Sequence, residues 1–181
     1  MISNGTVVTC KSKVKYLGVT IDNDLSGETM AHSVIGKVSR ELKVLYRNAK
    51  YIKFIERNIL CSTLLQSHFD YGYNVWYRGL CKSIKNKLQT SQNRMIRYVL
   101  DSEDRFHIGY DSFVKLNWLP VQKRMDYLTL SSMYNIFNSS APMYMFSQFA
   151  RVSSQPRTSN LIVPSHNVNI VIKQDMYQIV S

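Results

Sequence analysis

The sequence is poor in the residue types that build cysteine- and histidine-based sites. Only three cysteines and four histidines occur in 181 residues, no two cysteines have CxxC spacing, and the histidines lie far apart. This odd number of unpaired cysteines excludes a disulfide scaffold and a zinc ribbon as the organising principle. No apolar run approaches the roughly 18 residues that a membrane-spanning helix needs. We therefore expect no cofactor, no metal site and no membrane partner.

Acidic residues are also scarce, with 12 Asp and Glu against 23 Lys and Arg. Nucleotidyl transfer by two metal ions needs carboxylates that converge on Mg²⁺. The nearest candidates, Asp22 and Asp24, follow a predicted strand, where turn and helix-cap roles are far commoner. GxSxG, P-loop and GxGxxG motifs are absent as well. The sequence therefore predicts a chain that is not an enzyme and that has no small-molecule substrate.

The first residues do not show a basic segment followed by an apolar stretch, which is the pattern of a secretory leader. We therefore expect an intracellular protein, nuclear or cytoplasmic.

The positive charge is concentrated in one part of the chain. Residues 29–100 hold thirteen basic and three acidic residues, a net charge of +10, whereas residues 1–28 sum to zero and residues 101–181 to +1. Such a concentration attracts a polyanion through long-range steering and counterion release. A solvated helical surface without a partner is the competing explanation, and composition alone does not separate the two.

Residues 29–51 have the period of an amphipathic helix, and Ser26 is a plausible N-cap for a helix that begins at Glu28. At about 100° per residue, eight apolar positions fall within one arc of roughly 120°. These positions are Ala31, Val34, Ile35, Val38, Leu42, Leu45, Tyr46 and Ala49. Five basic residues fall on the other side, namely Lys37, Arg40, Lys43, Arg47 and Lys50.

Further helices are predicted over Phe54–Leu65, Ser83–Leu100 and Val121–Asn138, and two short strands over Val7–Cys10 and Val14–Ile21. In the second helix the predicted core face is Ile55, Ile59, Leu60 and Leu64. In the third it is Ile84, Leu88, Met95 and Val99, with Lys87, Arg94 and Arg97 on the opposite side. Gln92 lies within or beside that apolar face, so it needs a hydrogen-bond partner if it is buried.

Aromatic residues are interleaved with the basic ones between Tyr46 and Tyr98. Exposed rings beside cations can stack on nucleic-acid bases. Core packing is the better explanation for most of these rings, because they follow helical apolar positions. If the ring of Tyr51 or Tyr77 is exposed, that residue is an exception to core packing and a candidate for stacking on a base.

Five strings of residues occur in an order that resembles the reverse transcriptases of non-LTR (LINE-like) retrotransposons, downstream of their catalytic core. The strings are Lys15–Asp22 (KYLGVTID), His68–Gly72 (HFDYG) with Trp76, Leu88–Arg94 (LQTSQNR) with Arg97, Leu116–Val121 (LNWLPV) with Arg124, and Met133-Tyr134 with Ala141-Pro142. The similarity runs from about Val14 to about Val163. One departure is Gly27, which stands where the family usually has Trp.

The resemblance implies a mainly α fold, in which a thumb-like helical bundle follows a short β-hairpin and precedes an irregular C-terminal tail. It divides the chain into a remnant palm hairpin (1–25), a basic thumb-like bundle (26–100), a helical connection region (101–150) and a tail (151–181). It also implies that Met1 lies downstream of the place where the family keeps its metal-binding carboxylates, so that the fingers, most of the palm and any endonuclease domain are absent from this sequence.

In such polymerases the thumb helices hold the template–primer duplex by its phosphates. We therefore expect a non-catalytic fragment that binds an RNA or DNA duplex without sequence preference, with the missing polymerase core as a further partner. The expected contact residues are Lys37, Arg40, Lys43, Arg47, Lys50, Arg94 and Arg97. The alternative is a structural or protein-interaction helical module that does not bind nucleic acid.

Overall fold

A computed structural model describes residues 2–3, 6–7, 11–101, 108–138, 150–151 and 161–162. It confirms the predicted fold class, because the chain is mainly helical with antiparallel β-hairpins before the helices. The chain forms two compact units, residues 1–123 and residues 124–181. No helix in the described part of the chain combines the length and apolar character needed to cross a bilayer.

The strands form two-stranded antiparallel pairs. Strand β1 (Ile2–Ser3) pairs with β2 (Thr6–Val7), and β3 (Lys13–Tyr16) pairs with β4 (Val19–Asp22). Near the other end of the chain, β5 (Ala150–Arg151) pairs with β6 (Leu161–Ile162). Most of the tail predicted over residues 151–181 lies outside the described residues, as do residues 8–10 of the first predicted strand.

The strand predicted over Val14–Ile21 is wrong, because this segment is itself a hairpin. Leu17 and Gly18 form its turn with φ of 46° and 80°. Positive φ at both central residues is typical of a tight two-residue β-turn whose twist matches that of the flanking strands. The Tyr71 hydroxyl donates a hydrogen bond to the Leu17 carbonyl, which ties the turn to the helical part of the unit.

The helices of the first unit are α1 (Glu28–Arg47), α2 (Phe54–Leu60), α3 (Gln66–Asp70), α4 (Tyr73–Trp76), α5 (Lys82–Leu100) and α6 (Tyr110–Leu116). A 3₁₀ turn (Ala49–Tyr51) follows α1, and a π turn (Cys61–Leu65) joins α2 to α3. Helix α7 (Val121–Phe137) begins in the first unit, directly after Pro120, as predicted. Helix α5 matches its predicted bounds to within one residue.

Helix α1 begins at Glu28 as expected, but the main capping group is not the predicted one. The buried Asp22 carboxylate accepts a hydrogen bond from the Thr29 backbone N–H at 3.2 Å and one from the Ser26 hydroxyl at 3.3 Å. The Ser26 hydroxyl in turn accepts a longer bond from the Glu28 N–H at 3.4 Å. A carboxylate at a helix N-terminus satisfies orphan donors and complements the helix dipole.

We expect Asp22→Ala to lower the free energy of unfolding by about 1–2 kcal/mol, because the first turn of α1 loses its acceptor. Urea denaturation followed by circular dichroism measures this loss. Asp24→Ala is the matched control, since Asp24 is exposed and its carboxylate accepts the local Ser26 N–H rather than an N–H within α1. Equal losses in the two variants would contradict the capping role of Asp22.

Gly27 has no room for a side chain. Its φ is 71°, in the left-handed region that favours glycine, and an added Cβ would overlap the carbonyl oxygen of Trp76. Trp76 itself is buried and donates its indole N–H to the Tyr71 carbonyl at 2.9 Å. The chain therefore requires glycine at this place.

The core of the first unit lies between α1, the segment from α2 to α3, and α5. Its largest fully buried side chains include Trp76, Tyr98, Phe69, Leu65, Leu88, Met95 and Ile96. The predicted apolar face of α5 is confirmed, since Ile84, Leu88, Met95 and Val99 are all buried. On α1 only the first part of the predicted face is buried, namely Ala31, Val34, Val38 and Leu42. Ile35 and Leu45 are half-buried, Tyr46 is exposed, and Ala49 lies beyond Arg47, where α1 ends and the predicted helix over residues 29–51 is therefore too long. The Gln92 prediction is also confirmed: this fully buried amide donates to the Leu119 carbonyl at 2.8 Å and accepts from Gln89 at 2.9 Å.

The predicted core face of the second helix is wrong. Ile55, Ile59 and Leu64 are exposed, Ile55 by 67%, and Leu60 is half-buried. The buried side of this segment consists of Arg57, Cys61, Leu65, Gln66 and Phe69.

Candidate nucleic-acid interface

Five basic residues lie on α1 and on the 3₁₀ turn that follows it, and we call them the basic ridge: Lys37, Arg40, Lys43 and Arg47 on α1, and Lys50 on the turn. Lys37 is half-buried and the other four are exposed. At 1.5 Å per residue, Arg40 and Arg47 are separated by about 10 Å along the helix axis. At 100° per residue, Arg40, Lys43 and Arg47 fall within an arc of about 60°. These three cations therefore project on the same side of the helix.

No carboxylate neutralises the basic ridge within the described part of the chain. Glu41, on the same helix, bonds instead to His68 on α3, whose Nε2 lies 2.9 Å from each of its carboxylate oxygens. A second ion pair joins Arg57 and Asp101, neither of which belongs to the basic ridge. Unpaired cations on a helix surface keep their full field towards solvent.

Helix α5 runs alongside α1 in the same direction. Near the start of both helices the Cys81 thiol lies 3.5 Å from the Glu28 carboxylate, and near their ends the rings of Tyr46 and Tyr98 meet edge-on at 5.0 Å. This arrangement brings Lys43 and the exposed Arg94 to one cleft between the two helices. Arg97 is half-buried one turn further along α5.

The cleft between α1 and α5 has a volume of about 270 Å³. Val38, Leu42 and Ser91 are buried and form its floor, whereas Lys43 and Arg94 are exposed and form its rim. Ser39 and Tyr46 complete the lining.

Two aromatic residues lie at the surface beside the basic ridge. Tyr51 is 75% exposed, with the Lys50 ammonium 4.7 Å from its ring centre. Tyr46 is about half exposed, and burial of the rest raises its pKa despite the opposing charge of Arg97. Tyr77, the other exception considered from the sequence, is buried beside Trp76. The surface therefore offers Tyr46 and Tyr51 to a ligand, but not Tyr77.

Asp22 and Asp24 each accept hydrogen bonds near the start of α1. The Asp22 carboxylate caps α1, and Asp24 accepts the Ser26 backbone N–H at 3.1 Å, which lowers the pKa of Asp24. In the ranges that the structure describes, no three His, Cys, Asp or Glu side chains come close enough to hold a metal ion.

Arg57, which sequence reasoning missed, links the ends of three segments beside the interface. Only 8% exposed, it donates to the carbonyls of Ala49 (2.7 Å), Ile52 (2.8 Å) and Tyr98 (3.3 Å), and it pairs with Asp101 at 2.7 Å. Its guanidinium also lies 5.3 Å from the centre of the Tyr98 ring. The available signal was that Arg57, Cys61 and Leu65 follow one another at steps of four residues. This spacing puts the cation on the same side of a helix as two apolar residues.

We expect the two described cysteines to differ sharply in reactivity. Burial raises the pKa of Cys61 to about 12, so at pH 8 almost none of this thiol is the reactive thiolate. Cys81 is exposed. In a Cys10→Ser background, a thiol reagent at pH 8 should modify one cysteine quickly and the second only after urea is added. If both cysteines are modified quickly without urea, the result would contradict the packing of the π turn, which contains Cys61, against the core.

Comparison with protein-family models, with curated proteins and with solved structures finds no match to this chain. The resemblance to non-LTR reverse transcriptases therefore stays a prediction.

Proposed function

We propose that the chain binds the phosphate backbone of RNA or DNA through the basic ridge of α1 and the adjacent Arg94 and Arg97 of α5. This is the thumb-like, non-catalytic role that the resemblance implies. The observation that carries the proposal is the basic ridge, in which four of the five cations are exposed and no cation has a carboxylate partner among the described residues.

The geometry of the ridge suits phosphates rather than base edges. Phosphates of one strand recur every 3.4 Å along a duplex axis, so the roughly 10 Å between Arg40 and Arg47 covers about three of them. Phosphate contacts fix the position of a protein on a duplex and carry no sequence information. We therefore expect similar affinity for duplexes of unrelated sequence.

Fluorescence anisotropy with labelled duplexes of about 20 base pairs at about 50 mM salt tests this proposal. Two DNA duplexes of unrelated sequence and one RNA duplex should bind with affinities within about threefold of one another. No binding at this salt concentration would contradict the proposal. A tenfold preference for one DNA sequence over the other would contradict the absence of base reading.

One observation favours the alternative function as a protein-interaction module. The exposed side chains Ile55, Ile59 and Leu64 form an aliphatic face on the segment from α2 to the π turn. Exposed apolar patches on soluble proteins often mark interaction sites. This alternative predicts a saturable protein partner whose binding is weakened by Ile59→Glu and unaffected by charge reversal on the ridge, together with no affinity for duplexes at low salt.

A further inference from the structure

The cleft between α1 and α5 combines three features that a phosphate-binding surface alone does not need. It has a mainly apolar floor, in which Val38 and Leu42 flank the hydroxyl of Ser91, a partly exposed aromatic ring at Tyr46, and a rim that carries Lys43 and Arg94. A mainly apolar floor disfavours a bare phosphate, which would lose most of its hydration there for few hydrogen bonds. A flat, uncharged ring attached to an anion matches both parts of the lining.

We infer that this cleft receives one unpaired nucleobase, whose own phosphate is held by Lys43 and Arg94. The inference rests on the proposed function and deepens it, because it assigns a preference for strands with unpaired bases over fully paired duplexes. A paired base is stacked inside its helix and does not reach the cleft, whereas the bases of a single strand are free to leave the stack.

The size and charge of the cleft agree with this occupant. Its volume of about 270 Å³ is near the lower limit of small-molecule pockets, so it suits a single ring system rather than a larger ligand. Neither Lys43 nor Arg94 pairs with a carboxylate among the described residues, which leaves two cations for one phosphodiester.

Tyr46 is held in a position from which it can contact a base. Its ring packs edge-on against the buried Tyr98 at 5.0 Å, so only part of its surface is available to a ligand. Stacking of a base on an aromatic side chain is worth about 1–3 kcal/mol by alanine substitution, which corresponds to about 5- to 150-fold in affinity.

The test compares two single strands of about 12 nucleotides that carry the same number of phosphates, one with bases and one abasic. We expect the abasic strand to bind at least about fivefold more weakly, as measured by anisotropy at about 50 mM salt. Ser39→Phe, which fills the cleft without changing charge, should reduce this ratio to about one. Ser33→Phe is the matched control, because Ser33 is exposed on the same helix outside the cleft lining, and it should keep the wild-type ratio.

Equal affinity of the wild-type protein for the two strands would overturn the cleft inference and leave the phosphate-binding proposal intact. If Ser39→Phe keeps the wild-type ratio of the affinities for the two strands, the cleft inference is overturned in the same way. Failure of both strands and of a duplex to bind would overturn the proposed function and the cleft inference with it. If circular dichroism shows that Ser39→Phe does not fold, Tyr46→Leu replaces it, with the same expected loss of discrimination.

Discussion

Reversing the charge at Arg40, Lys43 and Arg47 together is expected to weaken duplex binding by at least about a hundredfold while the helical fold survives. The three side chains are exposed and project on one side of α1, so their replacement by Glu removes about three phosphate contacts and adds repulsion. Surface substitutions away from caps and buried networks usually change stability little. Anisotropy at low salt measures the affinity, and circular dichroism checks the fold.

The matched control is charge reversal at Lys13, Lys15 and Lys115. It makes the same change of net charge at exposed positions on β3 and α6, outside the proposed interface. If the interface lies on α1 and α5, this control should lose far less affinity than the ridge variant. Equal losses in the two triple variants would show that net charge, rather than the ridge, determines binding.

The second large effect is expected for Arg57→Met, which should lower the free energy of unfolding by about 3–5 kcal/mol, because it breaks three hydrogen bonds from one charged donor. The substitution removes the guanidinium donor from the carbonyls of Ala49, Ile52 and Tyr98, of which the Tyr98 contact is buried and the other two are partly buried. The Ala49 carbonyl keeps the Ile52 backbone N–H as a donor at 3.2 Å. Buried acceptors without partners are costly because they lose water without gaining a hydrogen bond. Urea denaturation followed by circular dichroism measures the loss.

Two further variants separate the carbonyl contacts from the ion pair. Asp101→Asn removes only the charge of a side chain that is 79% exposed, so it should cost less than about 1 kcal/mol. Arg57→Lys should not restore stability, because an ammonium cannot reproduce the planar fork that reaches three carbonyls in different directions. If Asp101→Asn lowers the free energy of unfolding more than Arg57→Met does, the ion pair rather than the carbonyl contacts of Arg57 carries the stabilisation, which would contradict this prediction.

The two long helices of the first unit were predictable from the sequence because each has a continuous helical period over about five turns. A period of this length identifies the buried face before any partner is known. The same reasoning identified Gln92 as a buried amide in need of a partner, although not that Leu119 would supply it.

The buried face of the helix predicted over Phe54–Leu65 was not predictable, because this segment changes from an α-helix to a π turn at Cys61. The hydroxyls of Ser62 and Thr63 both donate to the Ile59 carbonyl, at 3.0 Å and 2.7 Å, where the chain widens into the π turn. On a regular α-helix, side chains spaced by four residues point in directions that differ by about 40° around the helix axis. The wider π turn offsets this difference, so Arg57, Cys61, Leu65 and Phe69 share the buried side.

The hairpin turn at Leu17 and Gly18 was missed for a different reason. The segment has β-branched residues on both sides of the turn, at Val14 and at Val19–Ile21, and Leu is an unusual residue at a position with positive φ. Gly18 was the available signal, since glycine inside a strand pattern often marks a turn or bulge.

The close approach of Gly27 to Trp76 was not predictable either, because it is a contact between residues far apart in the sequence, which local sequence patterns do not report.

The salt dependence of duplex affinity tests the central claim most directly. If the basic ridge with Arg94 and Arg97 holds three to five phosphates, the logarithm of the association constant should fall against the logarithm of salt concentration with a slope of about −3 to −5. The Arg40, Lys43 and Arg47 charge-reversal variant should have a slope smaller in magnitude by about three. A flat salt response of the wild-type protein, or the same slope in both proteins, would contradict phosphate binding by the ridge.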